Sequence, residues 1–240
     1  MTRRTIAALV LIGHILRLAA ATPASRPRQQ QVTPSPAGPF HVEGNRLVDS
    51  HGHPFLMRGT QLKEFHLRTA ARDAGSGLGF GPHSATSFTA IRLRFNMNTV
   101  RLPLNVAESD APEYFSELAK VVHLANATGL LVVLATGELA TPPAKPMAEF
   151  WSRCATFFKN EPNVIFDVSP DSPPVNDIRP VNAIRPVNAT PSVNATPLMN
   201  AIRSAGARQL IAVRWNNAPL PDDRNLIYEV PVQNAARTDV

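Results

Sequence analysis

The sequence predicts an α/β fold in which parallel strands, buried on both faces, alternate with amphipathic helices. Short runs rich in Val, Ile and Leu, such as Leu130–Ala135, recur between helical segments, and continuous apolar strands of this kind are typical of parallel sheets. Gly129 and Gly206 follow two of the helical segments, at a position where glycine commonly ends a helix. About six strands with four or five helices are therefore expected.

The elements begin with a hairpin at residues 40–52, because apolar residues flank two glycine-containing turns there. Further strands are predicted where β-branched residues and Leu cluster: Phe55–Met57, Thr99–Leu104, Leu130–Ala135, Val164–Val168, Gln209–Val213 and Leu226–Val230. Helices are predicted where apolar residues recur every three or four positions: Ser84–Arg94, Pro112–Ala127, Met147–Lys159 and Leu198–Ala205.

Residues 1–24 have the features of a bacterial-type signal peptide. Arg3 and Arg4 give a basic start, and the apolar run Ile6–Leu16 is too short to span a bilayer comfortably. Small residues follow, so cleavage is expected after Ala21 or Ala24. We therefore expect a secreted or periplasmic protein with no membrane association after cleavage. The alternatives are a short membrane anchor and a mis-assigned start of the sequence.

Two further segments are expected to lie outside the packed core of the domain, which spans residues 40–240. Residues 25–39 are rich in Pro, Gln and Ser, which predicts a disordered linker. Residues 174–197 carry a hexapeptide repeat, seen in PVNAIR from Pro180 and PVNATP from Pro186. Proline in most units prevents a continuous helix, so an exposed loop insertion is predicted, with a hexapeptide β-helix or a binding segment as alternatives.

Composition argues against several classes of partner and cofactor. The net charge is +6, but no basic cluster is interleaved with aromatic residues, so no nucleic-acid partner is expected. Cys154 is the single cysteine and excludes an intrachain disulfide. The histidines lack metal-ligand spacing, and His51 and His53 are expected to be solvated in a turn. No metal and no cofactor are expected.

Segments along residues 40–232 carry a resemblance to a known family. The entry hairpin Gly44–Gly59 (GNRLVDSHGHPFLMRG), the strand segment Phe95–Leu104 (FNMNTVRLPL) and the helix–strand unit Phe150–Val168 resemble glycoside hydrolase family 5, the cellulase-like enzymes. The resemblance implies an incomplete (β/α)8 TIM-type barrel with about six strands, since a full barrel typically needs about 250 residues. It also implies a β-linked polysaccharide or oligosaccharide as partner.

The resemblance also assigns candidate site residues. It places Arg101 beneath the sugar site and the general acid/base at Asp171, within Pro170-Asp171-Ser172 where the family has Asn-Glu-Pro. Retaining glycosidases need a second carboxyl group about 5–5.5 Å away. The family's nucleophile Glu follows a seventh strand, which is not expected before Val240. Trp215 follows the fifth strand and is expected either to stack on a sugar ring or to lie in the core.

The resemblance and the signal peptide together predict a secreted, retaining cellulase- or mannanase-like relative. The departures from the family motifs predict weak or no activity, as in a pseudoenzyme. If activity persists, the resemblance implies a β-1,4-linked glucan or mannan as substrate, with Asp171 as acid/base. A replacement catalytic pair is not expected among the other nearby carboxylates, Glu64, Glu138, Asp167 and Glu229. The alternatives are a non-catalytic carbohydrate-binding protein that uses Arg101 and Trp215, and a remnant that does not fold independently.

Overall fold

A short hairpin near the start of the described residues precedes the main sheet. The computed structural model describes residues 32–68, 80–136, 147–169, 195–214 and 223–229. Strands β1 (His41–Glu43) and β2 (Arg46–Val48) pair antiparallel. Gly44 lies between them with a φ of +62°, a conformation that glycine adopts without a Cβ penalty. The predicted hairpin is therefore present.

Within the described residues, a six-stranded parallel sheet forms the centre of the fold. Each strand pairs with the next one along the chain: β3 (Gly59–Gln61), β4 (Thr99–Leu104), β5 (Leu131–Thr136), β6 (Val164–Asp167), β7 (Ile211–Arg214) and β8 (Leu226–Glu229). Parallel strands in strict chain order, joined through helices, are the arrangement of a (β/α) barrel. The predicted incomplete barrel with about six strands is confirmed.

Helices lie between the successive strands from β3 to β7. They are α1 (Ala85–Thr89), α2 (Tyr114–Ala127), α3 (Met147–Phe158) and α4 (Ala195–Ser204), with a π-helical turn at Ala90–Arg94 and a 3-10 turn at Val106–Glu108. Gly129 and Gly206 have φ values of +85° and +88° just beyond α2 and α4, which confirms that glycine ends these helices. None of the described helices has the length and apolar character needed to cross a membrane.

The first strand of the parallel sheet lies later than predicted, at Gly59–Gln61 and not at Phe55–Met57. Phe55 is buried against Phe40, with ring centroids 4.8 Å apart. Gly59 explains where pairing starts, because a Cβ on it would lie 2.2 Å from the carbonyl oxygen of Thr99. The apolar segment Phe55–Met57 therefore contributes Phe55 to the core. Strand pairing between β3 and β4 begins at Gly59.

Residues 32–39, predicted as part of the linker, differ from that prediction. Thr33 is buried, and the Arg92 guanidinium donates a 2.7 Å hydrogen bond to its carbonyl oxygen. The Gly38 N–H donates to Asn163 Oδ1 at 2.8 Å. The compact body accordingly begins at Val32. The segment is held by polar contacts to distant residues, which its own composition does not reveal.

Helix α4 begins earlier than predicted, within the last residues of the repeat. Pro197 lies in its first turn, where the missing N–H removes no intrahelical hydrogen bond. The predicted loop insertion therefore ends at or before residue 194. The remainder of the repeat at 174–194, the signal peptide and residues 25–31 lie outside the described residues.

The two faces of the sheet bury separate apolar clusters, as expected when successive side chains of a strand point to opposite faces. One cluster joins the sheet to the helices and includes Trp151 of α3 and Phe166 of β6. The other lies on the opposite, barrel-interior face, where Leu131 and Ile165 pack with Phe40 and Phe55. The hairpin region thus covers the interior near the amino-terminal ends of the strands. The site described next lies toward their carboxyl ends.

Candidate functional site

Arg101 is the centre of a partly buried polar group on the interior side of the sheet, in which only the Asp167 side chain is fully buried. Its Nε donates a 2.8 Å hydrogen bond to Asp167 Oδ2, and its Nη1 donates a 2.7 Å hydrogen bond to Gln61 Oε1. Gln61 stands directly opposite Arg101 in the β3–β4 ladder. The group therefore joins β3, β4 and β6, and it fixes the orientation of the guanidinium.

Burial and charge act on this ion pair in opposite directions. The Asp167 side chain is fully buried, whereas 21% of the Arg101 side chain remains exposed. Burial raises the pKa of Asp167, and the adjacent Arg101 charge opposes that rise. The backbone N–H of Ser169 also donates to Asp167 Oδ1, at 2.9 Å. The Arg101 guanidinium is therefore partly accessible, whereas the Asp167 carboxylate beside it is not reached by solvent.

A second polar cluster lies on the segments that follow β3 and β4. His66 stands between two carboxylates: its Nε2 is 3.1 Å from Glu64 Oε2, and its Nδ1 is 3.2 Å from Glu108 Oε1. Asn105 Nδ2 lies 2.9 Å from the same Nδ1, so the imidazole tautomer decides which of the two neighbours it bonds. The three ionisable side chains are each about one-third exposed or more. This cluster offers hydrogen-bonding groups near the carboxyl ends of the strands.

The structure brings together some of the predicted site residues and not others. Arg101 and Asp167, considered separately in the sequence, form one ion pair. Glu64 pairs with His66, a residue that sequence reasoning did not select. Glu229 is the last residue of β8. Asp171, Trp215 and Glu138 lie outside the described residues, so their assignments remain predictions.

The sequence contains only a weak indication of the cluster around His66. Glu64 and His66 flank Phe65, which is fully buried and bridges to Leu104 just past the point where β3 ends. Alternation about a buried aromatic residue places both polar side chains on the same side of the chain. Glu108, the second carboxylate beside His66, lies more than forty positions further along the chain. No local sequence pattern indicates that pairing.

The parallel strands in chain order, with a charged pair inside the barrel, define this chain as a (β/α)-barrel protein whose site lies at the carboxyl ends of the strands. The model of the family described as Cellulase (glycosyl hydrolase family 5) matches residues 48–231. The chain therefore belongs to glycoside hydrolase family 5, and it is a relative of the glycoside hydrolases.

Solved structures agree on the fold. A thermostable, halotolerant family 5 cellulase from an Icelandic hot spring isolate is 17% identical, with a TM-score of 0.52, over 82% of this chain and 62% of that chain. The catalytic domain of Thermobifida fusca endoglucanase Cel5A is also 17% identical, with a TM-score of 0.52, over 80% of this chain and 63% of that chain.

A β-mannanase from Thermomonospora fusca is 21% identical, with a TM-score of 0.50, over 75% of this chain and 55% of that chain. The chain thus spans less than two-thirds of the length of these solved proteins. A comparison with curated protein sequences gives no match.

Proposed function

We propose that the chain binds a β-1,4-linked glucan or mannan at the carboxyl ends of its strands and hydrolyses it weakly or not at all. The observation that carries the proposal is the Arg101 side chain, which stands at the family's arginine position and keeps 21% exposure inside the barrel. Its orientation is fixed by Asp167 and Gln61 before any ligand arrives, and a preorganised polar group loses less entropy on binding.

The choice of ligand class rests on the family. A variant of the catalytic domain of the Thermobifida fusca endoglucanase was solved in complex with cellotetraose, and the β-mannanase has the same fold. The polar rim around His66 adds imidazole, amide and carboxylate groups of the kind that hydrogen-bond sugar hydroxyls. Both cello- and manno-oligosaccharides are therefore suitable probes.

The weak activity is inferred from the residues that follow β6. The sequence Pro170-Asp171-Ser172 stands where the family has Asn-Glu-Pro. Aspartate can donate a proton but is one methylene shorter than glutamate, and a displacement of about 1 Å can cost roughly a hundredfold in rate. Proline offers no side-chain donor to a sugar hydroxyl. These changes reduce catalysis more than they reduce binding.

Titration calorimetry with cellotetraose and mannohexaose tests the binding proposal. We expect binding of at least one of them, weakened by about tenfold or more in Arg101→Lys, because a hydrogen bond to a charged group contributes about 1.5–3 kcal/mol. Lysine retains the charge beside Asp167 but not the two-pronged geometry. His123→Ala is the control, since His123 pairs with Glu161 away from the barrel interior. Equal affinities in the parent and Arg101→Lys would reject the role of Arg101.

A reducing-sugar assay on the same polymers tests the catalytic part. Any hydrolysis is expected to be lost in Asp171→Ala, because the variant removes the proton donor, while oligosaccharide affinity is retained within a few-fold. Hydrolysis that persists at the parent rate in Asp171→Ala would exclude Asp171 as the acid/base. Vigorous hydrolysis by the parent would contradict the proposed weak activity.

We also propose that the protein is exported. The proposal rests on the basic, apolar and small-residue order of residues 1–24. N-terminal sequencing of protein recovered outside the cytoplasm is expected to begin at Thr22 or Ser25. A mature chain that still begins near Met1 would contradict cleavage and favour an anchor.

A further inference from the structure

The turn after β2 gathers two histidines around one carboxylate. Asp49 Oδ1 accepts hydrogen bonds from the backbone N–H groups of both His51 and His53, each at 2.9 Å. Gly52, between the histidines, has a φ of +80°, which permits the tight return of the chain. The backbone of both histidines is therefore fixed by a single, largely buried aspartate.

The same turn directs three potential ligand atoms toward one point. Asp49 Oδ2 lies 4.0 Å from His51 Nδ1 and 3.8 Å from His53 Nδ1, and one ligand atom from each of the three residues falls within 4.8 Å of the others. The Asp49 carboxylate has two roles in this turn. One of its oxygens holds the turn, and the other faces the imidazoles.

We propose that Asp49, His51 and His53 bind a divalent transition-metal ion such as Zn²⁺. Zinc binds imidazole nitrogen and carboxylate oxygen at about 2.0–2.2 Å, so tetrahedral ligand atoms lie roughly 3.3–3.5 Å apart. The observed separations are 3.8 and 4.0 Å from the carboxylate to the two imidazoles and up to 4.8 Å within the set, and they shorten to that value by rotation of the exposed imidazole side chains. Water completes the coordination, because the chain supplies three ligands.

The ligand set selects the class of ion. Imidazole nitrogen suits Zn²⁺, Cu²⁺ and Ni²⁺, whereas Ca²⁺ and Mg²⁺ prefer sites made of oxygen ligands. The histidine side chains are 67% and 77% exposed, so an ion reaches them without any opening of the fold. The sequence predicted no metal because the histidines lack a spacing such as His-x-x-x-His with a nearby carboxylate. In the proposed site, Asp49 at the start of the turn supplies the third ligand.

Zinc titration calorimetry on the metal-free full chain tests this inference. We expect one Zn²⁺ site, weakened by at least about tenfold in the double variant His51→Ala with His53→Ala, since loss of outer-shell partners alone often costs 10–100-fold. Asp49→Asn keeps an oxygen for the two backbone N–H groups and is expected to weaken binding as well. Ca²⁺ is expected to give no comparable site.

Two controls distinguish zinc binding at this turn from zinc binding elsewhere and from a loss of folding. His123→Ala removes an exposed histidine elsewhere in the fold and is expected to leave zinc affinity unchanged. The metal-free double variant is expected to melt at the parent temperature, because both imidazoles are exposed. Zinc affinity that is the same in the double variant and the parent, or no zinc binding by the parent at millimolar concentration, would overturn the proposal.

Discussion

Arg101→Met is expected to lower the free energy of unfolding by about 3–5 kcal/mol, because removing one member of a buried ion pair leaves the other charge uncompensated. Asp167 has no exposed surface to recover its hydration. Methionine fills much of the volume of arginine. The loss in the free energy of unfolding is therefore due to the missing charge more than to a cavity. Urea unfolding of the parent and the variant at neutral pH measures the difference.

The double variant Arg101→Met with Asp167→Asn separates charge from packing. Asparagine keeps an oxygen that can accept the hydrogen bond from the Ser169 N–H but carries no charge. We expect it to recover at least half of the lost stability. A double variant as unstable as Arg101→Met alone would show that packing, and not the unpaired carboxylate, is responsible.

The pH dependence of the single variant follows from the same pair. Burial already raises the pKa of Asp167, and loss of the opposing Arg101 charge raises that pKa further. The folded variant then binds a proton at Asp167 more tightly than the unfolded chain does. The free energy of unfolding of the variant therefore falls as the pH rises from the pKa of an unfolded aspartate to the raised pKa of the folded state. The stability gap to the parent is therefore expected to narrow as the pH falls below neutral. A gap that widens on acidification would contradict a buried, unpaired Asp167.

Trp151→Ala is expected to lower the free energy of unfolding by about 3–5 kcal/mol, the usual cost of replacing a buried large aromatic residue with alanine. Trp151 is fully buried on α3 and makes edge contacts with Phe150 and Phe166, with centroid distances of 5.3 and 6.2 Å. The side chain thus joins the helix to β6, the strand that carries Asp167. Thermal unfolding is expected to shift by roughly 2–4 °C for each kcal/mol lost.

Phe157→Ala on the same helix is the matched control. Its side chain is 49% exposed and stacks on Phe115 at 5.8 Å, so it removes less surface from water. We expect a clearly smaller loss, on the order of 1 kcal/mol. Equal losses in the two variants would mean that α3 does not bury the face that contains Trp151.

The sheet and its helices were largely predictable because their signals are local. β4 begins and ends at Thr99 and Leu104 as predicted, and Gly129 ends α2 through its own backbone preference. The start of β3 was predicted wrongly, since its apolar neighbour Phe55 resembles a strand residue. Only the close approach of Gly59 to Thr99 reveals where pairing begins, and that is a tertiary property.

The charged groups were harder to predict because their partners are distant in sequence. Arg101 was selected through its motif, but its pairing with Asp167 depends on the direction in which β6 presents that residue. Their separation of 66 positions gives no local pattern. The Asp49–His53 turn is the opposite case: its ligands lie within five residues, and recognising the aspartate as a turn residue would have indicated it.

Thermal unfolding with and without cello- and manno-oligosaccharides tests most directly whether this family 5 barrel is a folded, glycan-binding domain. A ligand that binds only the folded state must stabilise it. The predicted result is one cooperative transition that cellotetraose or mannohexaose moves to higher temperature. A broad transition, or a cooperative one that neither oligosaccharide moves, would contradict it.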